Sequence, residues 1–257
     1  MTVGTDSQEE IVIGVLALQG AFIEHIHYLE RLRIKDCTIH AIPVRTAEEL
    51  SKCHALIIPG GESTVITRLA ALTPGLLPLL LEFVRSPEKA VWGTCAGMIL
   101  LASEHGIGGG KVGTTPKGWG GIDGLKVWRN LYGNQLESFE YPLEIPCLSQ
   151  PEIPFNTIFI RAPAIHSLSA SSSSTSSQID SDPHSKSNTP VEILATLPPS
   201  LHPPPPPDDT PLGPHNPADL GKVMLRQGRN MVTSFHPELS GDIRVHEFWV
   251  ETCVLGR

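Results

Sequence analysis

Apolar positions alternate along the chain between two rhythms. Ile11–Leu18 (IVIGVLAL) is apolar almost without a break, the pattern of a strand covered on both faces. Gln19 and Gly20 interrupt it, and Phe22, Ile26, Leu29 and Leu32 then recur at helical spacing across Ala21–Arg33. The exchange repeats as a strand at Thr38–Pro43, a brief helix around Glu48 and Glu49, and a strand at Ala55–Pro59 that runs into Gly60-Gly61. Thr64–Ala71 and Leu76–Val84 read as helices parted by Thr73-Pro74-Gly75. Ala90–Trp92 is a very short strand feeding Gly93-Thr94-Cys95-Ala96-Gly97, and Met98–Leu101 continues as a helix. Such alternation predicts an α/β fold, a single doubly wound domain with a mostly parallel central sheet covered on both sides. Sites in these sheets form beyond the carboxyl ends of the strands, where both glycine-rich turns fall.

The second half is less regular. Gly106–Gly124 reads as a glycine-rich surface loop, and Leu136–Tyr141 and Thr157–Ile160 read as strands. Ser171–Ser174 lies in a serine-rich tract and Pro203–Pro207 is an unbroken proline run, with the apolar Val191–Leu197 between them. Serine-rich sequence lacks material for a core, and consecutive prolines favour an extended conformation. Mobile insertions are therefore expected at about 168–189 and 198–219, flanking a core strand. Lys222–Leu225 and Val232–Phe235 restore strand character, the latter ending at His236, and Asp242–Val254 closes the chain as a helix. Residues 1–10 read as a flexible polar tail and 11–257 as the domain.

Charge and cysteine content narrow the function. A net charge of -8 argues against broad attraction to nucleic acid or to anionic membrane. No apolar stretch approaches the ~20 residues of a membrane span, and the acidic start lacks the basic and apolar regions of a signal peptide. Five cysteines without paired spacing point away from a disulfide scaffold or a zinc site and toward a reducing, cytoplasmic setting.

The strongest chemical signal is Gly93-Thr94-Cys95-Ala96-Gly97, the Gly-x-nucleophile-x-Gly arrangement of a sharp strand-to-helix elbow. Unpaired amides at a helix start favour a thiolate, and the Ala96 amide is a natural oxyanion donor. A buried cysteine in a tight turn is the ordinary alternative. His236-Pro237-Glu238 offers a base and an acid that orients it, although a lone histidine is more often a plain loop residue. His25, His27, His105, His166 and His246 are nominal competitors for the same role. Gly60-Gly61 supplies amides for an oxyanion and Ser63 a substrate contact; a flexible turn with a helix cap explains the same residues without a ligand. The segment is a poor phosphate loop, since it lacks the Lys-Ser/Thr of a Walker sequence.

Taken together, these segments resemble the glutaminase component of pyridoxal 5'-phosphate synthase, one of the triad-type glutamine amidotransferases. The likeness runs through GVLALQGAFIEH (Gly14–His25), IIPGGEST (Ile57–Thr64), GTCAG, RNLYGNQLESFE (Arg129–Glu140), FIRAP (Phe159–Pro163) and SFHPEL (Ser234–Leu239). It implies a flavodoxin-like class I amidotransferase fold and hydrolysis of L-glutamine to glutamate and ammonia. Cys95 would be the nucleophile, with His236 the base, Glu238 its orienting acid, and Gly61 and Ala96 the oxyanion donors. Substrate contacts carry over to Gly60, Gly61, Glu62, Ser63, Arg129, Ile160 and Arg161. Read from the residues alone, an arginine here can clamp a carboxylate, but a structural ion pair is the more ordinary role for each.

The resemblance further implies a hetero-oligomer in which a synthase partner, arranged as a dodecameric core, receives the ammonia and activates the glutaminase on docking. The Leu18-Gln19-Gly20 turn and the helix after it are the candidate docking face, although ordinary helix–sheet packing accounts for apolar residues there. No pyridoxal phosphate, metal or nucleotide cofactor is implied for this chain. Asn134 stands where related glutaminases commonly carry arginine, and the Ser- and Pro-rich additions suit a eukaryotic, fungal version. Two other functions fit the same residues: a catalytically weak regulatory scaffold, and a glutaminase serving another biosynthetic acceptor.

Overall fold

The computed structural model describes residues 8–110, 115–134, 138–169, 189–207 and 209–257. The first half runs β1 (Glu9–Leu16), α1 (Phe22–Arg31), β2 (Cys37–Val44), α2 (Ala47–Ser51), β3 (Ala55–Ile58), α3 (Ser63–Leu72), α4 (Leu76–Arg85), β4 (Ala90–Thr94) and α5 (Ala96–Leu100). Five short strands follow: β5 (Ile107–Gly108), β6 (Leu125–Trp128), β7 (Ser138–Leu143), β8 (Phe155–Ile160) and β9 (Ala164–Leu168). The chain closes with β10 (Glu192–Thr196), β11 (Lys222–Gln227), β12 (Asn230–Thr233) and α6 (Arg244–Phe248).

The central sheet has the order β10-β11-β12-β4-β3-β1-β2. Its β2-β1-β3-β4-β12 portion is parallel throughout, the flavodoxin-like order, and β11 and β10 extend it antiparallel. The mostly parallel α/β fold expected from the sequence is thus present. Successive residues point to opposite faces, and both faces are apolar. Ile13, Val15, Ile57, Trp92 and Met231 face one core, shared with α1 and the C-terminal segment. Leu16, Leu56, Ile58, Val91 and Val232 face the other, under α3, α4 and α5. Two-sided burial explains why these strands were visible as continuous apolar runs.

Local chemistry sets the helix ends. Thr46 and Glu49 form a reciprocal capping box that starts α2. The break between α3 and α4 is completed by Gly75 in the left-handed region, at φ 70°.

Several expectations need correction. Gly106–Gly124 is not merely a surface loop, because Trp119 and Ile122 are buried and Trp119 N–H bonds Leu100 O at 2.6 Å. Strands β6 and β9, which the apolar pattern does not reveal, pair antiparallel beside β5 in a three-stranded sheet. A two-stranded sheet joins β7 to β8. Asp242–Val254 is not one α-helix: α6 ends at Phe248 and a π-helical turn spans Trp249–Val254, with Leu255 N–H bonding Val250 O.

Strand β4 runs on to Thr94, β12 stops at Thr233 before the predicted Phe235, and β1 already begins at Glu9 within the expected tail. In the proline-rich tract, Pro203, Pro206 and Leu212 are buried, and Lys126 Nζ donates to Leu212 O at 2.9 Å, contacts the picture of a mobile insertion did not anticipate. The serine-rich tract at 170–188, residues 1–7 and the Asn134 side chain lie outside the description. Among the described residues, no single helix is long and apolar enough to cross a membrane.

Candidate active site

Each sequence-predicted reacting group follows the carboxyl end of a central strand. Strand β4 delivers Cys95, whose φ of 48° and ψ of -100° lie outside the ordinary regions for an L-residue. Its amide is tied to Thr233 O at 2.8 Å, so the end of β12 helps to hold the elbow. The flanking glycines are needed for contact distance. A Cβ on Gly93 would stand 2.5 Å from the Gly97 carbonyl, and one on Gly97 would collide with Ile58 O of β3. The elbow therefore closes against its neighbouring strand only if both positions are bare.

Beyond β12, His236 N–H bonds Ile158 O of β8 at 2.8 Å, and the ring packs so tightly over Gly60 that any Cβ there would strike it. His236 Nδ1 meets Glu238 Oε1 at 2.7 Å, both groups being buried. With Nδ1 engaged, Nε2 is the nitrogen left to act on Cys95, which lines the same cavity as His236. Burial alone lowers the affinity of this imidazole for its proton. The hydrogen bonds to Cys95 and Glu238, with their charges, outweigh that and lift its pKa to about 10. Burial likewise pushes Glu238 upward, but nearby His25 and the His236 hydrogen bond reverse this and lower its pKa overall.

A cavity of about 210 Å³ opens over the sulfur, lined by Gly61, Glu62, Ser63, Cys95, Ile99, Arg129, Asn130, Ile160, Arg161 and His236. This is small beside the ~300–1,000 Å³ of sites for drug-sized ligands and suits something of amino-acid size. Of the predicted site residues, Gly60 lies beneath His236 rather than on the lining, and Ala96 is fully buried at the first turn of α5. Ser63 is the first residue of α3 and makes no cap; the N-cap is Glu62, whose carboxylate accepts a bond from Thr64 Oγ1 at 2.9 Å.

Arg129 enters from the end of β6, with Nε and Nη2 donating to Gly109 O at 3.1 and 2.6 Å. Burial lowers its pKa, and the Glu62 charge opposes that. Arg161 leaves β8 at φ 46°, and Ile160 O lies 4.0 Å from the Cys95 sulfur.

Three participants were missed. Ile99 and Asn130 line the cavity. Gln19 reaches across from the end of β1, and its Oε1 accepts the Glu62 amide at 2.7 Å, bracing the glycine turn. The sequence marked it as a break after an apolar strand and as part of the family-like GVLALQGAFIEH segment and docking turn, but not as a brace for the glycine turn.

Comparison with known proteins decides the family. The profile described as "SNO glutamine amidotransferase family" matches residues 15–210. The chain belongs to this family. The amidotransferase is 38% identical to a "Pyridoxal 5'-phosphate synthase subunit PdxT" of Herpetosiphon aurantiacus, over 93% of the chain and 99% of that relative. It is 36% identical to "Pyridoxal 5'-phosphate synthase subunit SNO1" of Saccharomyces cerevisiae, over 95% and 93% respectively. A solved structure described as "Crystal structure of glutamine amidotransferase" is 36% identical, superposes with a TM-score of 0.65, and covers 94% of this chain and 98% of its own. At 12% identity, a putative GMP synthase protein from Thermoplasma acidophilum shares the fold with a TM-score of 0.53, over 95% of this chain and 94% of its own.

Proposed function

We propose that this amidotransferase hydrolyses L-glutamine to L-glutamate and ammonia through Cys95, His236 and Glu238, and delivers the ammonia to the synthase component of pyridoxal 5'-phosphate synthase. The observation that carries the reading is that Cys95 and His236 line one amino-acid-sized cavity, with His236 Nδ1 backed by the buried Glu238 Oε1 at 2.7 Å. Cys95 Sγ attacks the side-chain carbonyl carbon of glutamine while His236, protonated at neutral pH, holds the proton. The tetrahedral oxyanion is met by the amides of Gly61 and Ala96. His236 returns the proton to the departing nitrogen, releasing ammonia and leaving a glutamyl thioester. Water then attacks the thioester, His236 takes its proton, and the sulfur is protonated as glutamate leaves. Neither step calls on a metal or a cofactor.

Glu62, Ser63, Arg129, Ile160 and Arg161 ring the entrance and hold the α-amino and α-carboxylate groups of the substrate. The synthase partner is the dodecameric core implied by the family resemblance. Ile23 on α1, 46% exposed next to the Gln19-Gly20 turn, supports that face as the contact. Five free cysteines suit a reducing cytoplasm.

The test is glutamate and ammonia production with and without the matching synthase, comparing wild type with Cys95→Ala. Turnover that needs the synthase and falls by ~10³-fold or more in Cys95→Ala is expected. Equal turnover in both proteins rejects Cys95 as nucleophile. No turnover in a verified complex favours a regulatory scaffold.

A further inference from the structure

Behind the triad lies a second buried pair of titratable groups that the mechanism above does not use. We infer that His25 is a positioning residue for Glu238: its Nε2–H is directed at the carboxylate oxygen that His236 leaves over, and His246 fixes the tautomer that makes this possible. The inference rests on the function proposed above and deepens it.

The two oxygens of Glu238 are treated differently. Oε1 faces His236 Nδ1, whereas Oε2 is buried without a hydrogen bond of ordinary geometry to the described residues. His25 Nε2 stands 3.4 Å from Oε2, at the long end of hydrogen-bond reach, and 3.3 Å from Thr94 Oγ1. On the far side of the ring, His25 Nδ1 is 2.9 Å from His246 Nε2. Both histidines are fully buried, and desolvation lowers each pKa to about 3, so each ring carries one N–H and no charge.

Two proton arrangements are then possible. If His25 is protonated on Nδ1, it donates to His246 Nε2. His246 must then carry its own proton on Nδ1, which has no partner among the described residues, and the lone pair of His25 Nε2, although it can accept from Thr94 Oγ1, lies 3.4 Å from a carboxylate oxygen. Both consequences are unfavourable in a low-dielectric interior. If His25 is instead protonated on Nε2, its N–H is bonded to Thr94 Oγ1 with Oε2 3.4 Å from the same nitrogen, His246 Nε2–H donates to His25 Nδ1, and only an acceptor nitrogen of His246 is left over. The second arrangement pairs every buried N–H. It also gives the carboxylate a donor that leaves its charge intact, so Glu238 keeps its attraction for the His236 imidazolium.

Packing prevents the rings from rearranging. The edge of Trp92 meets both His25 and His246, at centroid distances of 5.5 and 4.8 Å, and Tyr28 stacks on His246 at 4.6 Å. The polar N–H edge of His25 beside Oε2 opposes a swing of the carboxylate plane about its last torsion. Oε1 stays aligned with His236 Nδ1, and Nε2 stays aimed at the sulfur. His25 touches neither substrate nor sulfur; it acts through Glu238.

The experiment has two arms. In wild-type protein carrying ¹⁵N-histidine, the ring nitrogen shifts of His25 and His246 are expected to report Nε2–H tautomers for both; an Nδ1–H tautomer at His25 overturns the inference without any substitution. In the complex with the synthase, His25→Phe fills the ring space but lacks the donor. It is expected to lower kcat at least tenfold, hold KM for glutamine within twofold, and move the His236 limb of the pH profile downward. His25→Gln, which can offer an N–H, is expected to recover most of the rate. A folded His25→Phe protein with the kcat and pH limb of wild type overturns the inference, and if that variant does not fold the wild-type tautomers decide. Cys95→Ala is measured alongside: turnover surviving there defeats the proposed function, while the tautomers still judge His25.

Discussion

Ile58, Thr94 and Thr233 end three neighbouring parallel strands, and within three residues each strand delivers a group of the proposed reaction site: the glycine turn, Cys95 and His236. Trp128 and Ile160 end strands of two small sheets, and each is followed by an arginine. The first wall of the cleft stands on side chains that are completely or almost completely buried, among them Ile57, Val91, Trp92 and Val232. The second is also anchored by buried side chains, Val127, Phe155 and Phe159, but leaves Ile160 38% exposed at its rim and, as Cys95 does on the first wall, turns through positive φ at Asn130 and Arg161. Bond making requires geometry held to a fraction of an ångström, which two-sided burial supplies. Recognition of a small zwitterion can use an irregular wall that adjusts to the ligand. Under the proposed function, this division places chemistry on the rigid side and selection on the irregular side.

The largest effect that would break this division comes from the rigid wall. Glu238→Gln keeps the side-chain shape but replaces an acceptor beside His236 Nδ1 with an amide that can present its own N–H, favouring the wrong tautomer. Steady-state kinetics in the assembled complex are expected to show kcat reduced on the order of 10³–10⁴-fold, with KM for glutamine nearly unchanged. A large rise in KM with kcat preserved would mean that this wall selects the substrate as well.

An intermediate effect is expected from the other wall. Arg161→Gln removes a charged donor from the cavity rim while leaving Cys95, His236 and Glu238 in place. A charge-assisted hydrogen bond of ~1.5–3 kcal/mol corresponds to a rise in KM of roughly tenfold to a hundredfold. Loss of kcat matching that seen for Glu238→Gln would erase the distinction between the walls.

The same contrast governs how much could be read from the residues. Strands β1 and β3 and the start of β4 were legible because sequence-local apolar runs suffice when both faces are covered. The elbow was legible because a nucleophile between two glycines is a local constraint, and His236-Pro237-Glu238 because acid and base are adjacent in the chain. Of the small sheets, β7 and β8 were legible as strands, but β6 follows a glycine-rich stretch and β9 is hidden just before the serine-rich tract, so neither of those carries a run long enough to show its period. Trp119 and Ile122 are isolated apolar residues among glycines, and only the tertiary fold reveals that they enter the core. Arg129 and Arg161 came from family likeness, since an arginine alone does not say whether it binds a ligand or the backbone. His25 and His246 stand 221 residues apart and meet only in the folded chain. In the sequence they were competitors for the catalytic base; in the structure they lie behind its acid.

The smallest expected effect concerns stability, and it sharpens the comparison by asking whether the rigid wall carries a titrating charge. His236 is raised from the ordinary 6.5 to about 10: burial alone pushes it down, but the hydrogen bonds and charges of Cys95 and Glu238 prevail. Between those values the folded protein holds a proton that the unfolded chain has released. The resulting stabilisation is complete below pH 6.5 and is lost as pH rises toward about 10. Cys53, Cys147 and Cys253 are also raised by burial, to about 11, 11 and 12, and weaken the fold in the same direction at the alkaline end. His236→Asn removes the imidazole and keeps those thiols, so subtracting its stability from that of wild type isolates the imidazole. Urea melts at intervals from pH 6 to 10 are expected to show the wild-type curve falling more steeply, with the two converging at the alkaline end. Parallel curves would show that the His236 proton is not bound more tightly in the folded protein, and the coupling of sulfur, imidazole and carboxylate would lose its thermodynamic support.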